Sequence, residues 1–327
     1  MFNYTIRRLL TMFPLLLAMS FITFMFLQLA PGDILAPYKM NPQISEETIK
    51  EMEQKFHFDK PAVIQYLYWL KNIIRLDFGY SFSKRTSVAN VIGSHLLNTL
   101  FLAMFSIFIT WTVAIPIGIY CAVNQYKWSD KFFSFISYIG MSLPTFFLAL
   151  LLLFLVSTIG ELPLIGKLPI GGMKSVHYDD LGFFGKFFDI IKHLIVPGIV
   201  LATASLASLQ RIMRGNMLEE LGTKYVLTAR AKGLPENRVI YIHALRNAIN
   251  PLITIFGYEF SALLSGAALT EIITSWPGLG SVMLEAVRAQ DLFLVMGNML
   301  IGGVMLISGN LLADLLLAAT DPRIKLS

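Results

Sequence analysis

Residues 215–251 read GNMLEELGTKYVLTARAKGLPENRVIYIHALRNAINP, the longest stretch after residue 95 that a bilayer would exclude. Long apolar runs flank this stretch on both sides. Its own apolar residues recur at helical spacing, which predicts two short amphipathic helices. Gly233 predicts a left-handed stop between them, and Pro235 suits the first turn of the second helix. The predicted apolar stripes are Leu218, Leu221, Tyr225 and Ala229, then Val239, Ile242, Leu245 and Ile249.

A helical hairpin between two apolar runs has two interpretations. It can be an ordinary surface loop, or it can be a docking element for a soluble partner. Loops carry function more often than cores do, but spacing alone leaves both interpretations open.

Two segments of this hairpin carry a family resemblance. Residues 228–235, TARAKGLP, and 243–248, HALRNA, resemble the cytoplasmic loop of ATP-binding-cassette importer permeases. Ala229, Gly233 and Leu245 match the general form of that loop. Four positions differ from this general form: Leu227, Thr228, His243 and Arg246. At these positions the sequence instead resembles the dipeptide, oligopeptide and nickel importers. Within that branch it resembles the first, or B-type, permease subunit.

The resemblance implies that the hairpin is a coupling helix, which fits a groove on a separate ATPase subunit. The implied docking residues are Ala229, Arg230, Ala231, Lys232, Gly233, Leu234, Pro235 and Glu236. The resemblance further implies a second homologous permease subunit, two ATP-binding-cassette ATPase subunits or domains, and an extracytoplasmic substrate-binding protein. ATP and Mg²⁺ would then bind to the partner subunits, and this chain would hold no cofactor.

Composition indicates a membrane protein independently of that resemblance. Hydrophobic residues make up 55% of the chain, charged residues make up 14%, and the mean hydropathy is +0.64. A soluble chain would carry about a quarter charged residues. The sequence pI of about 9.2 could suggest a nucleic-acid partner. The distribution of the charges argues against it, because the basic excess lies in the segments between apolar runs.

Apolar runs near the 20-residue length of a spanning helix predict an all-α polytopic membrane protein. Six spans are predicted, at residues 9–30, 95–123, 132–160, 194–210, 251–270 and 292–317. The first run lacks a good cleavage site and is predicted to be retained. The resemblance implies the type I importer permease fold, with an extracytoplasmic lobe after the first helix.

The charge of the connecting segments predicts their sides of the membrane. Lys and Arg exceed Asp and Glu in residues 1–8, 124–131, 211–250 and 318–327, so these are predicted to be cytoplasmic. The main outer segments, 31–94 and 161–193, are nearly balanced, and 271–291 is the third outer loop. We therefore expect a multi-pass protein of a prokaryotic inner membrane with both termini in the cytoplasm.

Three residues within the predicted spans are candidates for the translocation path. Pro144 interrupts the third span, and the run around Ser142 resembles the family's third-span kink. This kink either serves the packing of the helices or lines the path, and both interpretations are open. Glu259 is an intramembrane carboxylate, which is costly and tends to face a wet or protein-lined interior. It is either a wall residue of the path or a structural carboxylate hydrogen-bonded between helices.

The outer loop 271–291 contains a second motif, SWPGLG, which follows Glu271. Its residues Trp276, Pro277, Gly278 and Gly280 resemble the family's loop between the last two spans. The runs LAPGD at 29–33, DFGYSF at 77–82 and DPRIK at 321–325 resemble other family segments.

No catalytic constellation is present in the sequence. It contains no phosphate-binding G-x-x-x-x-G-K-[ST] loop, no G-x-S-x-G elbow and no H-E-x-x-H helix. His177 and Asp179 lie in one loop, but two ligands fall short of a structural metal site. We therefore expect a non-catalytic subunit.

The function that follows is a permease subunit of an ATP-driven importer of oligopeptides or dipeptides. The same architecture could import a nickel chelate or glutathione. A secondary transporter or an intramembrane enzyme is a more remote alternative. A transporter of that kind usually shows internal repeats, and no clear repeat is present.

Overall fold

The computed structural model describes residues 2–30, 32, 34–162, 166–253, 255, 256, 259 and 267–320 of the 327-residue chain. Within these residues the protein is almost entirely helical, with two short antiparallel strand pairs. The first half contains α1 (Phe2–Leu29), α2 (Ala36–Lys39), α3 (Glu46–Lys55), α4 (Ala62–Ile73), β1 (Tyr80–Ser81), β2 (Thr86–Ser87), α5 (Val88–Val123), α6 (Trp128–Ser142) and α7 (Thr145–Ile159). The second half contains β3 (Glu161–Leu162), β4 (Gly166–Lys167), α8 (Phe183–Leu221), α9 (Lys224–Ala231), α10 (Glu236–Arg238), a π-helical turn (Val239–Ala244), α11 (Leu245–Ala248), α12 (Ala268–Ile273), α13 (Leu279–Arg288) and α14 (Leu292–Thr320).

Four of the described helices, α1, α5, α8 and α14, are long and apolar enough to cross a membrane. The pair α6 and α7 forms a fifth candidate, bent by 105° at the break that contains Pro144. The fold class predicted from the sequence is confirmed. Much of the predicted fifth span, residues 251–270, lies outside the described residues, as do the tail residues 321–327.

Two of the spanning helices are longer than the apolar runs that reveal them. The helix α5 begins at Val88, where the Ser87 hydroxyl caps the amide of Asn90. The helix α8 has 39 residues, so it continues past the predicted span 194–210 on both sides. Polar residues such as Asn90 and Ser94 in α5, and charged residues in α8, end an apolar run but do not end a helix, and hydropathy therefore underestimates both helices.

The centre of the bundle is the pairing of α5 with α8. Gly198 lies against the ring of Phe105, and a side chain at Gly118 would meet Met213 at 2.7 Å and the Gln210 carbonyl at 2.9 Å. Small residues at these crossings let the helix axes approach closely, as membrane interfaces require.

The segment between α1 and α5 packs on α1 and α14. Phe24 of α1, Tyr66 and Trp69 of α4, and Met296 of α14 are all buried in one cluster. Asp291, which is 1% exposed, precedes α14 and accepts hydrogen bonds from the Ser81 hydroxyl at 2.7 Å and the Ser83 amide at 2.9 Å. Its other carboxylate oxygen caps α14. The lobe is therefore attached to the last helix through this apolar cluster and through one buried carboxylate.

The hairpin of residues 224–248 differs from its prediction in three places. The predicted first stripe is wrong at Tyr225, which is 41% exposed. The predicted first helix is broken, because α8 ends at Leu221 and α9 starts at Lys224. The predicted second stripe is wrong at Ile242, which is 54% exposed. The π-helical turn adds a residue to one turn. The inward face therefore consists of residues spaced by four: Ile240, Ala244, Ala248 and Leu252. The left-handed stop at Gly233 is confirmed, with φ of +74°.

We expect the substitution Gly118→Ala to lower the free energy of unfolding by about 1–3 kcal/mol, because the added methyl group meets a backbone carbonyl that cannot move aside. The measurement is the thermal unfolding midpoint of the purified chain in detergent. Gly215→Ala in α8 is the matched control, since a side chain there meets no atom within 4 Å. Equal midpoints for the two variants would contradict the close helix crossing.

Candidate functional site

The hairpin presents most of its predicted docking residues to the surface. Ala229 is the exception, because its side chain is 6% exposed and packs in the core beneath α9. The prediction that Ala229 takes part in docking is therefore not supported by its position. Leu234 is half-buried, and the remaining six are exposed: Arg230, Ala231, Lys232, Gly233, Pro235 and Glu236.

Three large apolar side chains extend this exposed face. Leu227 is 51% exposed, Tyr241 is 57% exposed and Ile242 is 54% exposed. The resemblance noted Leu227 as a position typical of the peptide branch but did not name these three residues as docking residues, and the periodic pattern placed Ile242 on the inner face. A contiguous apolar patch rimmed by polar residues marks an interaction site, whereas apolar side chains exposed singly are ordinary surface.

The charge of this face is positive. Arg230 forms a salt bridge of 2.6 Å with Glu236 across the turn at Gly233. Among the described residues, Lys232 and Arg238 form no ion pair. An exposed pair such as Arg230–Glu236 contributes little stability. It does fix the two arms of the turn relative to each other, and it leaves two cations for a partner.

Polar bonds hold the hairpin on the end of α8. The Asn216 side-chain amide donates to the carbonyl of Ala248 at 3.1 Å. The Tyr225 hydroxyl donates to the Glu220 carboxylate and accepts from the Asn247 amide at 2.8 Å. Burial, followed by the hydrogen bond to Glu220, raises the pKa of the Tyr225 phenol. The phenol therefore stays protonated and keeps its donor at physiological pH.

A continuous apolar core lies beneath these bonds. Met213 and Met217 of α8 are fully buried against Val226 of α9, and Val239 and Ala244 of the π-helical turn belong to the same cluster. Both arms of the hairpin thus share one core with α8. A displacement of the exposed face has to move the end of α8 with it, because such a core is close-packed.

The same end of α8 is joined to α6 by a salt bridge. Arg214 makes two parallel bonds to Asp130, Nε to Oδ1 at 2.8 Å and Nη2 to Oδ2 at 2.7 Å. Asp130 is 4% exposed and also accepts from the amide of Tyr126 at 3.0 Å. The fork geometry of arginine gives this pair directional specificity.

The path candidates occupy two different settings. Pro144 precedes α7 at the bend between α6 and α7, and the Ser142 hydroxyl donates to the Tyr138 carbonyl at 2.8 Å. The carboxylate of Glu259 accepts from the indole of Trp111 in α5 at 2.8 Å. Among the residues that the structure describes, no contact joins Glu259 to the bend, and its hydrogen bond to Trp111 fits both interpretations of this carboxylate.

The SWPGLG motif folds around a buried carboxylate. Glu271 of α12 has no exposed surface, and it accepts from the Thr99 hydroxyl of α5 at 2.8 Å and from the Gly280 amide at 2.8 Å. The Thr99 hydroxyl in turn accepts from the Leu279 amide at 2.8 Å. The Ser281 amide lies at 3.3 Å from the same Glu271 oxygen as Gly280.

The other residues of the motif lock this loop onto α5. The Trp276 ring is fully buried, and its indole donates to the Asn98 carbonyl at 3.0 Å. The Asn98 side chain donates to the Pro277 carbonyl at 2.8 Å. A side chain at Gly278 would overlap Glu271, which explains the glycine. We call the unit formed by Asn98, Thr99 and residues 271–281 the outer latch, after the side of the membrane predicted for this loop from the sequence.

The comparison with known proteins matches two family models to two consecutive parts of the chain. Residues 114–326 match the model of the family described as binding-protein-dependent transport system inner membrane component, and residues 1–103 match the N-terminal model of such membrane components. An oligopeptide transport system permease protein of Bacillus subtilis is 38% identical over 323 residues, covering 98% of this chain and 99% of the relative. A dipeptide transport system permease protein of Escherichia coli is 35% identical over 336 residues, covering 99% of each.

We expect Glu271→Ala to lower the free energy of unfolding by about 2–5 kcal/mol, because it leaves a cavity and buried amides without an acceptor. Glu271→Gln should cost less, since its carbonyl can still accept from Gly280 and Ser281. Thermal unfolding in detergent measures both changes. The control is Glu285→Ala, which removes an exposed carboxylate paired with Lys84. An unfolding midpoint for Glu271→Ala as high as that of the control would refute the outer latch.

Proposed function

The chain belongs to the family of binding-protein-dependent transport system inner membrane components, and we propose that it is a permease subunit of an ATP-driven peptide importer. The peptide substrate is inferred from the oligopeptide and dipeptide permeases to which the chain is similar along its whole length. The best support within the molecule is a hairpin with an exposed, positively charged face and a core shared with α8.

In this proposal the hairpin docks in a groove of an ATPase subunit, and ATP with Mg²⁺ binds to that subunit. The exposed apolar residues Leu227, Tyr241 and Ile242 enter the groove, and Lys232 and Arg238 face acidic groups of the partner. The contact is stiff because the Asn216 and Tyr225 bonds support it from behind, while the exposed Arg230–Glu236 pair links the two arms of the turn on the docking face itself.

Closure of two ATPase subunits then moves the hairpin, and α8 carries the motion into the membrane. At 1.5 Å per residue, the 39 residues of α8 span about 58 Å, more than the thickness of a bilayer. The Asp130–Arg214 pair transmits this motion to α6, and the close helix crossing at Gly118 and Gly198 transmits it to α5. These helices switch the path between inward-open and outward-open states.

The path itself requires a second permease subunit, since the helices of one chain are too few to enclose a peptide. An extracytoplasmic binding protein delivers the substrate to the complex. We further propose that Ser142, Pro144 and Glu259 border this path, with Glu259 held in place by Trp111. Under this proposal both termini and the hairpin lie in the cytoplasm, and residues 161–193 lie outside.

We expect Gly233→Asp and Leu234→Asp to abolish peptide uptake and peptide-stimulated ATP hydrolysis by the reconstituted importer. The first forces a β-carbon into a left-handed turn and adds charge to the docking face, and the second places a charge where a half-buried leucine packs against the hairpin core. Gly172→Asp is the matched control, because Gly172 also has positive φ and open space around it but lies in the predicted outer loop. Normal uptake by Leu234→Asp in a correctly assembled complex would show that the hairpin does not couple.

The proposed orientation predicts which introduced thiols an impermeant maleimide can reach in intact cells. Val176→Cys should react at once, because Val176 is 96% exposed in the outer loop. Lys232→Cys should react only after the cells are opened. The native Cys121 is buried and provides the unlabelled background. Reaction of Lys232→Cys in intact cells would invert the assignment of sides.

A further inference from the structure

A groove lies between α6 and α8 on the membrane side of the Asp130–Arg214 pair. The two helices run antiparallel, with Asp130 opposite Arg214 at one end and Gly140 against Thr203 at the other. Between these contacts the helices leave a cavity of about 270 Å³. The polar side chains that line it include Lys131, Ser134, Tyr138, Gln210, Arg211 and Arg214.

The groove has an uncompensated positive charge. Asp130 neutralises Arg214 through two short bonds. Lys131 and Arg211 line the groove from opposite helices, and neither forms an ion pair with any residue that the structure describes. Lys131 follows Asp130 directly and Arg211 lies one turn before Arg214, so the two cations flank the satisfied salt bridge on facing helices. Two such cations together attract a single anion.

Neutral hydrogen-bond donors complete the lining. The hydroxyls of Ser134 and Tyr138 face the groove, and within the described part of the chain neither has a hydrogen-bond partner. These donors suit the oxygens of a phosphate group, which accept several hydrogen bonds at once.

The surface of α6 beside the groove is apolar and aromatic. Trp128 is 76% exposed and stacks on Phe132, and Phe135 is 63% exposed. Further along the same helix, Ile139 is 46% exposed. An aromatic residue near the head groups, followed by aliphatic side chains, is the arrangement of a membrane interface. A soluble anion would make no use of this surface, whereas acyl chains would cover it.

We propose that this groove binds the phosphate head group of an anionic phospholipid, with Lys131 and Arg211 as its cationic ligands and the acyl chains lying on Phe135 and Ile139. The assignment to the cytoplasmic leaflet rests on the orientation proposed above. Basic pockets between membrane helices on that side bind anionic head groups in other proteins. The bound lipid would join α6 to α8 beside the Asp130–Arg214 pair.

The test uses the full chain in detergent micelles, without ATPase subunits, so its outcome is independent of the coupling proposal. Native mass spectrometry measures the binding of dioctanoyl phosphatidylglycerol, dioctanoyl phosphatidylcholine and glycerol 3-phosphate. Each cation near an anionic group favours binding about fivefold, so two predict a preference of about thirtyfold for phosphatidylglycerol over phosphatidylcholine.

The double variant Lys131→Gln/Arg211→Gln should lose this preference while keeping the unfolding midpoint, because both side chains are exposed and unpaired among the described residues. The matched control is Lys127→Gln/Lys50→Gln, which removes two exposed cations that do not line the groove.

Three results would overturn the proposal. In the first, the double variant retains the preference of the unmodified chain. In the second, glycerol 3-phosphate binds as tightly as phosphatidylglycerol, which makes the ligand a soluble anion. In the third, which a separate experiment on the assembled importer measures, a photocrosslinker at position 131 reaches an acidic segment of a partner protein instead of lipid.

Discussion

A carboxylate taken out of water has to be surrounded by donors, and this requirement determines which helices of the bundle meet. Asp130, Glu271 and Asp291 are each less than 5% exposed. Asp130 joins α6 to α8, Glu271 joins α12 and the following loop to α5, and Asp291 joins the lobe to α14. A buried charge without its partners costs several kcal/mol, so an alternative packing of these helices would be strongly unfavourable.

The predictability of this fold differs between elements for physical reasons. Apolar runs reveal where helices cross the membrane, since the bilayer excludes charge and unpaired backbone groups. They do not reveal that α8 continues past Arg211 and Arg214, because a helix in water keeps the same backbone bonds. The sequence likewise gives no sign of the contact between Glu271 and Thr99. The two residues are 172 positions apart, and no local pattern encodes such a distance.

The hairpin contains both features that the sequence predicts and features that it does not, within one short segment. Gly233 and Pro235 are local signals, and the turn they predict is present. The inward face was mispredicted at Ile242 because this residue lies within the π-helical turn, whose wider spacing takes it off the face that Leu245 and Ile249 still share. Ala229 matched a family position, yet a match in sequence does not say which way a side chain faces. Exposure thus redefines the candidate docking face around Leu227, Tyr241 and Ile242.

The outer latch also constrains how the protein is made. The Glu271 carboxylate needs Thr99, which is synthesised long before it, and the Gly280 and Ser281 amides, which follow it. The full set of donors to this carboxylate therefore exists only after residues 99–281 have all been made, and the contact cannot close before then. The order of the residues along the chain thus sets when this contact forms. The helix α5 is synthesised first, and its contact with Glu271 is complete only after Ser281 is present.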